Sequence, residues 1–351
     1  MAVPDRIFIG NEKIPIHLVR KPYCDKCMNE VSAGESLCHF CKELPPNGDD
    51  WYFNKVVCMG TYEHDDSGGK SVPLNLLSRL VWMFKYGDKK QQGNAKRVLG
   101  DGLRQVSGLF PFLIDGVQYL VASPKFDKSE RAFGEVLIDL LIKNCPSLAG
   151  KDITSIVQRL RDEGDIKLEK RETRFEKMAG IHHVDIPDLH GQKVLILDDV
   201  FTSGATSWDL SRALKDRNAG EINVLALARA SNFTNIVYDF KELLMFFSGF
   251  DSINESKNIN DVPIVNLSIT NTSIKCIAKG TQNYEIMIDT DDKIVLHDCE
   301  NFQHKRVNNK EFCKHITKLF LELSQKRGVD FATQLLETIY RDLPTWRFQS
   351  I

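Results

Sequence analysis

No apolar run in this chain is long enough to cross a bilayer. The longest stretches, such as Leu243-Leu-Met-Phe-Phe247, fall far short of the ~20 residues a membrane helix requires. The opening Met-Ala-Val-Pro-Asp-Arg lacks the basic head, apolar middle and small-residue cleavage site of an export signal. A cytoplasmic location without membrane contact is therefore expected. Net charge is nearly absent too. A formal −2 provides no global positive field, so any contact with nucleic acid would need a local patch. A disulfide framework is also missing. Nine cysteines is an odd number and several stand in close pairs, a pattern that argues for metal ligation in a reducing compartment. No internal repeat or low-complexity tract is visible.

What is present is an ordinary folded composition, 42% hydrophobic and 27% charged. The 351 residues are more than one core usually holds. Three regions are expected. Residues 1–50 are rich in cysteine pairs and turn residues, and end in the loop-like Leu44-Pro-Pro-Asn-Gly-Asp-Asp50. Residues 51–235 alternate helical and strand patterns. Leu76 to Met83 and Ala95 to Val106 carry helical spacing, while Tyr119-Leu-Val-Ala122 and Val194-Leu-Ile-Leu197 are short apolar runs of buried-strand type. Helical stretches Arg131 to Lys143 and Ser207 to Lys215 follow those runs, and strand–loop–helix recurrence of this kind implies a mostly parallel sheet covered by helices. Residues 236–351 begin with the polar stretch Asp251 to Asp261, which reads as a linker. Strand alternation then runs from Val262 to Val295 with a turn at Asp291-Asp292, and helices are expected over Phe312 to Gln325 and Phe331 to Tyr340.

The most informative stretch is Val194-Leu-Ile-Leu-Asp-Asp-Val-Phe-Thr-Ser-Gly-Ala-Thr206. A buried strand ends in two carboxylates, a hydroxyl- and glycine-rich turn follows, and a helix begins. Backbone N–H groups of such a turn, with the helix N-terminus behind them, make an anion site suited to phosphate. Thr202, Ser203 and Thr206 add hydroxyls, Ala205 adds a backbone donor, and Gly204 lets the backbone approach closely. Asp198 and Asp199 can then accept hydrogen bonds from ribose hydroxyls. A bare Asp-Asp pair is more often two solvated aspartates at a turn, but every position of the longer pattern is filled here.

The stretch resembles the 5-phosphoribosyl-1-pyrophosphate (PRPP) motif of type I phosphoribosyltransferases. The resemblance extends to the competence protein F (ComF) branch, over residues 20–230. Gly60-Thr-Tyr-Glu63, Phe84-Lys-Tyr-Gly-Asp88, Val121-Ala-Ser-Pro-Lys125 and Arg131-Ala-Phe-Gly-Glu135 carry it. It implies a type I phosphoribosyltransferase fold, with a pyrophosphate loop at Ser123 to Lys125 and Lys125 facing the leaving group. Ser123 and Arg131 join the PRPP-binding set by the same likeness. Gly134 and Glu135 depart from the Asn and Gln usual there. Arg171 and Arg174 would close over pyrophosphate as a lid, although Arg161 to Lys177 reads equally well as a solvated charged helix. The implied reaction replaces pyrophosphate on the anomeric carbon by a base nitrogen, with Mg²⁺ neutralising the leaving group. Catalytic roles would fall to Asp198, Asp199 and Lys125.

Two zinc sites are expected. Cys24-x2-Cys27-x10-Cys38-x2-Cys41 is paired-knuckle spacing, in which two turns supply a closed, structural site of four thiolates. A metal also explains how so short a segment folds. His297-Asp-Cys299, a gap of thirteen residues and Cys313-Lys-His315 resemble a SWIM zinc finger, with His297 where the family has cysteine. Imidazole ligates zinc equally well. Cys58, Cys145 and Cys276 read as small core residues, and His182-His183 as a strand or loop pair. The ComF likeness implies DNA uptake beside a helicase-like partner, and related chains imply a defence or toxin–antitoxin setting that the SWIM-like tail fits. A zinc-finger adaptor that binds single-stranded DNA or protein, with the pocket vestigial, stays open as an alternative. The ComF likeness also makes a homodimer a common arrangement. The ligand is expected to be PRPP or a nucleotide, either turned over or sensed.

Overall fold

The structure, a computed structural model, describes the chain apart from residues 1–3, 11–12, 20–22, 30, 33, 44, 46–49, 66–71, 74, 128–130, 163, 165–168, 231–237, 250–258, 260–261 and 351. Most of the expected loop at 44–50 and of the linker at 251–261 therefore lies outside the described residues. Two compact units form, one of Met1–Glu63 with Leu77–Thr234 and one of His64–Leu76 with Asn235–Ile351.

In chain order the elements begin with the antiparallel hairpin β1 (Arg6–Ile9) and β2 (Ile14–His17), a short helix α1 (His39–Lys42) and strand β3 (Lys55–Tyr62). A small pair, β4 (His64–Asp65) and β5 (Val72–Pro73), precedes helices α2 (Leu76–Tyr86) and α3 (Lys89–Leu109). Asp88 starts α3 with a capping box. Its carboxylate accepts from the Gln91 N–H at 2.8 Å, and the Gln91 amide oxygen accepts from the Asp88 N–H at 3.0 Å. Strand β6 (Val117–Ala122), helix α4 (Phe133–Asn144), strand β7 (Val157–Arg159), helix α5 (Arg171–Met178) and strand β8 (His182–Val184) follow. The first unit closes with β9 (Lys193–Phe201), α6 (Ala205–Lys215) and β10 (Ile222–Ala230).

The central sheet of this unit is four-stranded, in the order β3-β10-β9-β6, and every pairing in it is parallel. Mixed α/β architecture around a parallel sheet is thus present as expected. The apolar run Val194-Leu-Ile-Leu197 is buried between neighbours on both sides. Strand β9 outlasts that run. Pairing with β10 continues to Phe201 opposite Arg229, so Asp198 and Asp199 lie inside the strand rather than beyond its end. Helix α5 begins only at Arg171, so the charged segment from Arg161 does not form one continuous helix.

In the second unit, α7 (Phe240–Ser248) is capped by Asp239, whose carboxylate accepts from the Glu242 N–H at 2.9 Å. Strands β11 (Ile264–Ile269), β12 (Ser273–Lys279), β13 (Asn283–Asp289) and β14 (Ile294–His297) form an antiparallel meander. Its last turn is set by Asp289, which accepts from the N–H groups of Asp291 and Asp292 at 3.0 Å each. Helices α8 (Lys314–Arg327) and α9 (Val329–Arg341) and strand β15 (Arg347–Gln349) complete it, with β15 running parallel to β14. Phe312 stacks between Phe247 and Phe320, at centroid distances of 4.6 and 5.1 Å. No helix among the described residues is long and apolar enough to cross a membrane.

The departures at Gly134 and Glu135 have a packing explanation. A Cβ on Gly134 would lie 2.7 Å from the Ala122 Cβ and 2.8 Å from the Leu197 carbonyl oxygen, because the first turn of α4 presses against the β6–β9 seam. Glu135 caps the same turn, accepting from the Ala132 N–H at 2.7 Å. Gly134→Ala should therefore destabilise the protein by about 1–3 kcal/mol through overpacking. Denaturant unfolding of the variant would show this as a lowered midpoint at unchanged slope.

Candidate functional site

The C-terminal edge of a parallel sheet is where such folds place ligands, and the residues singled out by the sequence converge there. Strand β9 ends at Phe201, and Thr202 and Ser203 form the turn. Gly204 then starts α6 with φ of 84°, a left-handed conformation that favours glycine. Any Cβ at Gly204 would also meet the Phe201 ring at 2.7 Å. Ala205 donates its N–H to the Ser203 hydroxyl at 3.3 Å, while Thr206 lies in the first turn of α6. Arg229, buried at the end of β10, donates to the carbonyl oxygens of Phe201, at 2.7 Å, and Thr202. It clamps the outer side of the turn.

The two carboxylates differ. Asp199 is ion-paired with Lys85 from α2, both side chains being largely shielded from solvent. Burial opposes its ionisation, but the Lys85 ammonium holds it below the usual carboxylate range. Burial, reinforced by the adjacent Asp199, pushes the Asp198 carboxyl up to about 8. Its Oδ1 accepts from the Asp199 N–H at 2.8 Å and its Oδ2 faces the Ser207 hydroxyl at 3.4 Å. Ionisation of Asp198 is thus disfavoured beside Asp199, whose own charge Lys85 offsets. An anionic ligand meets little repulsion.

Beside the turn lies a pocket of about 310 Å³, lined among others by Phe40, Trp51, Arg171, Arg174, Thr202 and Arg229. Arg174 approaches the Thr202 hydroxyl at 3.4 Å. The Arg171 guanidinium packs over Phe40 and Phe175 at 4.9 Å and over Trp51 at 5.7 Å, and its Nη2 has no hydrogen-bond acceptor among the described residues. Both arginines expected in the lid therefore line the pocket beside the Thr202–Ser203 turn. Arg131, just before α4, is engaged with that helix, donating to Asp139 at 2.7 Å and to the Glu135 carbonyl oxygen at 3.2 Å. Lys125 is half-buried two residues past Ser123.

Three participants escaped the sequence reading. Lys85 and Arg229 sit far from the carboxylates and the turn in sequence. For Lys85 the only available signal was its place in the Phe84-Lys-Tyr-Gly-Asp88 element. His182 lies on strand β8 as expected, but it is also hydrogen-bonded to Ser123 and Asp209.

Both Cys/His constellations are assembled, and all eight side chains are buried. In each group the candidate ligand atoms lie within 4.8 Å of one another. No disulfide joins the cysteines. The Sγ atoms of Cys27 and Cys38 are 3.7 Å apart, close to the edge of about 3.8 Å expected between thiolates around tetrahedral zinc. A tight turn supplies each pair. Met28 donates its N–H to the Cys24 carbonyl oxygen at 2.9 Å, and Cys41 to that of Cys38 at 3.0 Å. In the second group His297 Nε2 and His315 Nδ1 are 3.1 Å apart, and Cys313 Sγ lies 3.8 Å from the same His315 nitrogen. His297 Nδ1 donates to the Glu285 carbonyl oxygen at 2.6 Å, which fixes the tautomer and presents Nε2 as a ligand. Cys313 caps α8, so both of its group's helical ligands come from the first turn. Each group is thus a donor set fit for zinc. Cys58 and Cys276 are core residues as read, and Cys145 is half-buried.

No family model matches the chain, and no curated protein matches it. Among solved structures, a hypoxanthine phosphoribosyltransferase from Staphylococcus aureus is similar at 12% identity, over 40% of this chain and 68% of that one, with a TM-score of 0.25. So loose a superposition carries no argument, and the site stands on its own residues.

Elemental analysis should find two zinc ions per chain, one of them lost in Cys27→Ser and the other in Cys313→Ser. A full complement in either variant would remove that group from the zinc sites. The Asp198 carboxyl supplies a pH test. Its folded pKa lies above the unfolded value, so stability falls as pH rises from about 4 to about 8, and the whole cost persists above that. Asp198→Asn should raise the melting temperature more at pH 9 than at pH 5, and equal shifts would contradict the assignment.

Proposed function

We propose that the sheet unit adopts a type I phosphoribosyltransferase fold and binds a 5-phosphoribosyl ligand at the end of β9, with PRPP the first candidate. One observation carries the reading. A strand carrying two adjacent carboxylates near its C-terminal end, a turn of hydroxyls, and a left-handed glycine opening a helix occur together at the C-terminal edge of a parallel sheet. The 5-phosphate sits on the N–H groups and hydroxyls of Thr202, Ser203, Gly204, Ala205 and Thr206. Asp198 and Asp199 receive the ribose hydroxyls. Pyrophosphate extends towards Ser123 and Lys125, and Arg171 and Arg174 close over the ligand.

Magnesium would neutralise the departing pyrophosphate. Among the described residues the groups of three or more side chains able to hold a metal are the two Cys/His groups, and Asp199 is ion-paired with Lys85. If the chain is an enzyme, a base nitrogen displaces pyrophosphate from the anomeric carbon, and the protein's part is to orient the ribose and exclude water. Zinc at both Cys/His groups is structural, since each presents four protein ligands and no open position. The nucleic-acid and helicase partners implied by the ComF resemblance form no part of this proposal.

Titration calorimetry of the zinc-loaded chain with PRPP and Mg²⁺ tests the reading. Saturable binding should weaken at least about tenfold in the Asp198→Asn, Asp199→Asn double variant, from the loss of hydrogen bonds to the ribose. Thr206→Val, which leaves the Lys85 ion pair intact, should weaken it as well. Absence of binding to the wild type would refute the reading. Pyrophosphate release with a panel of bases would then separate transferase from sensor.

A further inference from the structure

A buried hydrogen-bonded chain leads from the interior to the ligand edge of the sheet. His182 and Asp209 side chains are fully shielded from solvent. Asp209 Oδ2 accepts from His182 Nδ1 at 2.9 Å and from the His182 N–H at 2.8 Å. Its Oδ1 accepts from the Gly180 N–H at 2.7 Å and from Arg212 Nε at 2.9 Å. At the outer end, His182 Nε2 lies 2.8 Å from the Ser123 hydroxyl. Ser123 directly follows β6, whose last residue, Ala122, pairs with Leu197. Ser123 therefore comes level with Asp198.

The protons in this chain are determined by its chemistry. Burial works against ionisation of Asp209, but hydrogen bonds from His182 hold it below the usual carboxylate range, so it only accepts. The His182 proton must then sit on Nδ1, which leaves Nε2 as an acceptor while the imidazole is neutral. Ser123 in turn must give its single proton to Nε2. In that state its Oγ offers only lone pairs to the ligand edge and repels a phosphate oxygen. Protonation of His182 reverses the outer bond. Nε2–H then donates to Ser123 Oγ, and the serine O–H is released towards the ligand.

We propose that Ser123, His182 and Asp209 form a proton relay serving an oxyanion subsite at the C-terminal end of β6, in which each bound oxyanion of the pyrophosphate class draws one proton onto His182 Nε2. The charged groups facing the imidazole are Asp209 and Arg212 from α6 and Arg159, its cross-strand neighbour on β7. Burial, with help from the two guanidiniums and against the pull of Asp209, holds His182 below its usual range, so the resting relay is neutral. Serine nucleophilicity is a weaker reading of the same three side chains. The residue after Ser123 is Pro124, which has no N–H to stabilise an oxyanion formed on an attacked carbonyl or phosphoryl group. Ser123 and His182 are thus positioning and proton-handling residues. In a transfer reaction they would favour a departing oxyanion by lending it a hydrogen-bond donor.

The inference rests on the proposed ligand site, but its test separates the two. The full zinc-loaded chain is titrated with inorganic pyrophosphate in buffers of different ionisation enthalpy, beside His182→Gln. Subtracting the variant cancels the ligand's own protonation. Wild type should take up about one proton more per pyrophosphate, and above the His182 pKa its affinity should fall about tenfold per pH unit relative to the variant. Ser123→Ala provides the same comparison should the buried substitution not fold, and imidazole nitrogen resonances should report a raised His182 pKa on binding. Equal proton counts, or no pyrophosphate binding, would overturn the relay. Pyrophosphate binding with proton uptake but no PRPP binding would leave the relay standing and overturn the ribose reading alone.

Discussion

Two adjacent carboxylates at the edge of a buried parallel strand are an electrostatic problem, and much of the first unit is arranged around it. Asp198 and Asp199 are held in place because β10 continues its ladder with β9 to Phe201. The strand cannot fray there and let both side chains into water. Of the two, Asp199 is paired with Lys85 from α2, and burial beside Asp199 pushes the Asp198 carboxyl above the usual carboxylate range. A site that would otherwise repel phosphate becomes nearly neutral. Its carboxyl oxygens remain available to hydroxyl groups.

Around that pair the edge of the sheet divides into two flanks. On the β10 side Arg229 ties down the turn, and Arg171 and Arg174 line the pocket beside Thr202. On the β6 side Ser123 is bound to His182. The first flank supplies permanent positive charge and the second a hydrogen-bond donor that depends on a proton. A ligand with an anion at each end of a sugar suits such an edge, because each flank recognises charge by a different means. The four-cysteine group also lines the pocket, through Cys27 and Cys41. A structural metal there would hold a wall of the site as well as its own segment.

In the second unit, folding and ligation are coupled in the same way. His297 ends strand β14 and His315 stands in the first turn of α8. Their nitrogens approach to 3.1 Å, a distance at which two lone pairs repel unless a proton or a cation lies between them. Cys299, Cys313 and the Glu285 carbonyl oxygen complete a setting in which a metal is the natural partner.

Much of this was legible in the linear chain. Buried runs marked the strands, Gly204 and its hydroxyl neighbours marked the turn, cysteine spacing marked the first metal group and a Cys/His pattern resembling a SWIM finger marked the second, because each signal rests on short stretches of residues. Gly134 read as a departure from a family pattern, and only the packing of α4 against Ala122 and Leu197 showed why no side chain fits there. Likewise, His182 read as a bland strand residue until β8 and α6 brought Ser123 and Asp209 to it across 59 and 27 residues. The sequence determined which groups could carry chemistry. Tertiary structure decided their charge states and their partners, since protonation depends on burial and on neighbours that long-range packing alone brings together.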